Sequence, residues 1–125
     1  MDKQTFLGEI AHKLKMLGYK KNKHYWYREN KGYLLCVNLQ GSQWNKDDYY
    51  VEFGVAFLDS NVKYPTILQW FCRHRCMGKN GSKNITPEEL LSFLEYVQEN
   101  YPNCAEVTDY LIKMSSAKVS NQYWI

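Results

Sequence analysis

Cys72-x-His74-x-Cys76 is the constellation whose residue types most invite chemistry, since two thiols and an imidazole are ligands that zinc accepts. On a strand, alternate positions point to one side but stand about 6.5–7 Å apart along it, so three in a row spread too far to close on one tetrahedral ion. A fourth ligand, Cys104 or His24, would have to come from a distant part of the chain. The expectation is therefore no metal and no cofactor, with free thiols and a histidine hydrogen-bonded at a sheet surface. Nucleophilic catalysis would need a thiol or hydroxyl with a base in reach and donors for an oxyanion. Cys36 with His24 is the one pair a hairpin could bring close, and Asp47-Asp48 reads more simply as a turn. With no nucleophile elbow, phosphate loop or paired-carboxylate motif, no catalytic residue is assigned and an enzyme is not the expectation.

Binding chemistry has more material. Lys13, Lys15, Lys20, Lys21, Lys23 and Arg28 lie beside Tyr25, Trp26 and Tyr27, and Arg73 and Arg75 could join them from a neighbouring strand. Aromatic rings with cations around them can stack bases and neutralise phosphates. They serve equally as anchors for a protein partner, where Trp and Arg carry much of the affinity. Trp44, in the polar stretch 41–48, either lids the core or meets a partner. The candidate binding residues are thus Trp26, Trp44, Lys20, Lys21, Arg28, Arg73 and Arg75.

The elements that must position these residues centre on 33–58. Tyr33, Leu35, Val37 and Leu39 alternate with Leu34, Cys36, Asn38 and Gln40, and Tyr49, Val51, Phe53, Val55 and Phe57 alternate with Tyr50, Glu52, Gly54 and Ala56. That period of two describes half-buried strands with a core face and a second face that is solvent or a polar surface. Upstream, Phe6, Leu7, Ile10, Leu14 and Leu17 recur at helical spacing until Gly18 stops them. Lys20-Lys21-Asn22-Lys23 then reads as a basic connector, 24–29 as a first strand and Asn30-Lys31-Gly32 as a tight hairpin. Residues 66–77 are read as a further strand, bounded by Gly78 and the Gly81-Ser82 turn. Thr86-Pro87-Glu88-Glu89 opens a helix with a capping box, and Asn103 with Glu106 opens another. The closing Tyr123-Trp124-Ile125 is apolar enough to dock on the body.

The fold expected is one α+β domain over 1–125. It has an antiparallel sheet of three or four strands near 24–29, 33–40, 49–58 and 66–77, an N-terminal helix, and two C-terminal helices packed on one face. Leu17-Gly18-Tyr19-Lys20-Lys21, Tyr25-x-Tyr27-Arg28, Val37-Asn38-Leu39-Gln40-x-Ser42 and Phe53-Gly54-Val55 together resemble a family of small bacterial domains known only as a domain of unknown function, DUF4304. The resemblance covers about the first half of the chain and implies an α+β fold with an antiparallel sheet. It carries no catalytic residues to this sequence, and Glu52-Phe53 stands where the family tends to place Asn before the Gly.

Net charge is +3, but residues 1–31 hold eight Lys/Arg against three acids while 84–112 hold six acids and no Lys or Arg. A sequence pI of about 8.6 is milder than a dedicated nucleic-acid binder presents. No stretch is long and apolar enough to span a bilayer, no signal-peptide pattern opens the chain, and four cysteines in a reducing compartment read as free thiols. These features frame a cytoplasmic, non-catalytic binding module for a protein partner, possible in the form of an immunity-type protein, with single-stranded or structured RNA as the alternative partner and no membrane.

Overall fold

The computed structural model describes residues 2–41, 48–58, 61–78 and 85–120, with side chains through residue 114. Three helices and five strands follow in the order α1 (Lys3–Met16), β1 (Lys20–Asn22), β2 (Tyr25–Asn30), β3 (Tyr33–Gly41), β4 (Tyr49–Phe57), β5 (Cys72–Cys76), α2 (Pro87–Asn100) and α3 (Cys104–Ser120). The strands form one antiparallel sheet in chain order, β1 and β5 at its edges. Five strands replace the expected three or four because the lysine connector is itself a strand. Lys20 pairs with Tyr27, Lys21 with Trp26 and Asn22 with Tyr25, and Lys23 turns the corner at φ 57. A charged run carries little strand propensity, yet lysines are what a sheet edge uses to discourage further pairing.

Local chemistry accounts for the element ends. The Asp2 side chain accepts from Thr5 N and caps α1, and Gly18 leaves the helix at φ 94, a conformation that costs glycine little. Lys31 and Gly32, both at positive φ, make the two-residue turn between β2 and β3. Thr86 and Glu89 satisfy each other's backbone amides at the start of α2, and Asn103 accepts from Glu106 N ahead of α3.

Phe6, Ile10 and Leu14 of α1, Leu90, Leu94 and Val97 of α2, and Val107 and Leu111 of α3 share one buried cluster with the same sheet face. Tyr33, Leu35, Val37, Leu39, Tyr49, Val51, Phe53 and Val55 are its sheet members, in the alternation read from the sequence. Phe6 stacks on Tyr49 and Phe93 meets Phe53 edge to face, so α1 and α2 touch the sheet directly. Phe57 departs from that alternation: it is 67% exposed, because the last residue of β4 passes the limit of this core.

Two readings need correction. The second face is neither open nor purely polar, since Tyr27, Leu34, Cys36, Ala56 and Trp70 form a second buried cluster there. Residues 66–77 are not one strand: Ile67–Gln69 is a single 3₁₀ turn, and the strand begins only at Cys72. The turn follows from Thr66 N donating to the Gln69 side chain, an arrangement that closes a short helix and interrupts an extended run. Trp44, Asp47, the Gly81-Ser82 turn and Tyr123-Trp124-Ile125 lie outside the described residues.

Candidate binding surface

The Cys-His-Cys run faces the helix side of the sheet. Alternation on β5 turns Cys72, His74 and Cys76 toward the helices, opposite Val55, Phe53 and Val51. His74 is 2% exposed and its ring lies 5.6 Å from that of Phe93, so it is a core histidine and not one at the sheet surface. Burial pushes the Cys72 thiol up to about 11, which disfavours the thiolate that would bind metal. Among the described residues no group of three His, Cys, Asp or Glu side chains could hold an ion. Cys36 and His24 do not meet either. Cys36 is opposite Tyr27, while the His24 carbonyl accepts from Leu39 N three residue steps, about 10 Å, along β3. The Cys36 thiol, desolvated in the second cluster, is raised far above its usual range.

The basic and aromatic candidates are divided by the sheet. Register puts Lys21, Trp26 and Arg28 toward the helix side and Lys20, Arg73 and Arg75 toward the other. Lys20 and Lys21 lie on the edge strand β1 and the two arginines on the opposite edge β5, about 19 Å apart at ordinary strand spacing. Arg73 and Arg75 are therefore not neighbours of the aromatic strand. Trp26 is 1% exposed and belongs to the core, with Lys21 Nζ 5.7 Å from its ring centre. The Arg28 side chain runs past Gly18, where an added Cβ would come within 3.1 Å of its Nε. Arg75 donates from Nε to Glu52 Oε1 at 3.0 Å and stacks its guanidinium 4.7 Å over Tyr50. This pair continues a polar row across the second face: Tyr25, Asn38, Glu52 and Arg75 are successive partners in register. Glu52, nearly fully buried, has Arg75 as its ion-pair partner.

What the sequence reading missed is the stretch that covers the second face. Pro65 is buried, and its carbonyl accepts from both Tyr27 OH at 2.9 Å and Trp70 Nε1 at 3.3 Å. Tyr25 OH accepts from Ile67 N at 3.0 Å, and Phe71 N donates to Val55 O at 3.0 Å. The Trp70 ring lies directly on Gly54, a contact open only to a residue with no side chain. Anchored at these points, the stretch turns its remaining large side chains outward. Leu68 is 89% exposed, and Tyr64 and Phe71 are exposed beside it. Phe71 stacks on Phe57 at 4.3 Å, joining the end of β4 to the same shoulder, and Leu58 follows. Next to the shoulder an open groove of about 930 Å³ runs to the β1 edge, bordered by Lys20, Lys21, Tyr27, Leu58, Lys63 and Tyr64. The available signal was a cluster of apolar residues, Leu58, Tyr64, Leu68 and Phe71, in a segment with neither helical nor strand period.

A family model described as a domain of unknown function (DUF4304) matches residues 10–86, more than half of the chain. That range holds all five strands and the covering stretch, and it ends just before α2. No curated protein and no solved structure matches the chain.

Proposed function

The chain belongs to the DUF4304 family, a description that assigns no activity, and from the geometry we propose that it is a small non-catalytic module binding a protein partner through the Phe57–Phe71 shoulder. The observation that carries this reading is one segment with two opposed roles. Pro65, Ile67 and Trp70 hold it to the sheet, while Leu68, Phe71, Tyr64, Leu58 and Phe57 are held in solvent. Exposed apolar side chains of this size, Phe57 and Phe71 among them in stacking contact, mark interaction surfaces, and a pre-anchored backbone reduces the ordering cost of binding. The division of the basic residues between two faces and two edges favours protein over RNA, and the Trp26 and Tyr27 rings are already packed. An immunity-type protein of the bacterial cytoplasm fits this reading, and four free cysteines agree with a reducing compartment. No helix among the described residues is long and apolar enough to cross a membrane.

Photo-crosslinking tests the proposal. A benzophenone side chain at Leu68 should capture one protein in the producing cells, and the same group at exposed His12 on α1 should not. Adducts with RNA, or an identical pattern from both positions, would count against the reading.

A further inference from the structure

We propose that the partner's contact segment is acidic, an extended peptide whose carboxylates lie beside Lys20 and Lys63 while an apolar side chain beds against Leu34, Leu58 and Tyr64. The inference rests on the protein-binding reading and adds the chemistry of the partner. Among the described residues the groove is bordered by Lys20, Lys21 and Lys63 and by one carboxylate, that of Glu29. Ion pairs among the described residues join Arg75 to Glu52 and Lys113 to Asp109, and neither involves the groove. Two of the lysines are nonetheless positioned: Lys21 Nζ lies 5.7 Å from the Trp26 ring centre and Lys63 Nζ 5.4 Å from that of Tyr64. A ring fixes a cation without cancelling its charge: Tyr64 does so for Lys63 beside the groove, while Trp26 holds the Lys21 ammonium toward the helix side of β1. A smaller concavity of about 370 Å³ across β1, bordered by Lys15, Lys20, Lys21 and Trp26, extends the same cationic edge.

The apolar part of the groove decides between anions. Leu34, Leu58 and Val62 supply no donor, so a bare phosphate would leave much of about 930 Å³ unfilled. A peptide that alternates acidic and apolar side chains meets both kinds of lining. Tyr64 is the exposed ring here, and stacking a nucleic-acid strand uses several such platforms in succession.

The test is amide NMR on the full chain labelled with ¹⁵N. The probes are a short acetylated peptide of glutamates around a central leucine, its glutamine counterpart, and oligouridylate. The glutamate peptide should shift the amides of Lys20, Lys21, Tyr27, Lys63 and Tyr64, more weakly as salt rises. Lys20→Gln with Lys63→Gln should weaken it roughly threefold to tenfold, the scale of two exposed ion pairs, with the melting temperature unchanged. Absence of groove shifts up to millimolar peptide, equal binding of the glutamine peptide, or tighter binding of oligouridylate would overturn the proposal. The two readings fail separately. Groove shifts with no crosslink at position 68 would remove the shoulder alone, and a captured partner whose mapped contact segment is neutral or basic would remove the acidic-segment inference alone.

Discussion

The two faces of the sheet are closed by different means. Toward the helices, side chains from three helices and four strands interlock in one cluster, twenty buried residues among those described; on the other side the described cluster has five, one of them Trp70 lying on Gly54. A deep core buries nearly every large apolar group that reaches it. A shallow cover of eleven or so residues is fixed by a few hydrogen bonds and one ring, and it has no depth in which to hide Leu68, Phe71 or Phe57. The exposed shoulder is thus a consequence of how the second face is closed. The same economy keeps the groove beside β1 open.

That contrast can be broken by experiment, and the largest effect is expected in the deep core. Phe53→Ala removes a ring that meets Phe93 at 5.3 Å and should cost about 3–5 kcal/mol in chemical denaturation. A loss under about 1 kcal/mol would mean that the face is not the tight one. On the shallow side, Gly54→Ala should cost about 1–3 kcal/mol by overpacking, since the new Cβ would stand 2.6 Å from the Cys72 carbonyl oxygen as well as inside the Trp70 ring contact. A neutral outcome would show that Trp70 is not seated there.

A smaller effect belongs to Tyr49, whose OH donates to the Ile85 carbonyl at 2.7 Å. Tyr49→Phe should cost about 0.5–1.5 kcal/mol at neutral pH. Burial, helped by nearby Glu89, pushes the phenol up to about 12, so the unfolded chain ionises first, near pH ~10. The folded-state value being the higher one, the contribution is intact below about pH 10 and is lost as pH rises to about 12. Stability curves should therefore fall less steeply across that window in the variant than in the wild type. Parallel curves would contradict the assignment. The least effect on stability is expected from Leu68→Asp, within about 0.5 kcal/mol because the side chain is already in solvent. Partner capture should nevertheless be lost, and retention of capture by a fully folded Leu68→Asp would remove the shoulder from the interface.

Much of this architecture was legible in the chain because it is enforced locally. Gly18, the Lys31-Gly32 turn and the Thr86–Glu89 box each act within a few residues, and the alternation across 33–39 and 49–55 needs only one buried face to appear. The α+β class and the family resemblance rested on the same short-range signals. Lys20–Asn22 was read as a connector because pairing with β2, not its own composition, makes it a strand. Tertiary structure alone decided that Trp26 is core, that Arg75 is committed to Glu52, and that the basic candidates lie on different faces and edges. It also decided that 61–71 folds back over Gly54, through hydrogen bonds between residues as far apart as Tyr27 and Pro65. Periodicity records which side chains seek burial. It does not record which distant segment will cover them, and the shoulder and groove are made by that choice.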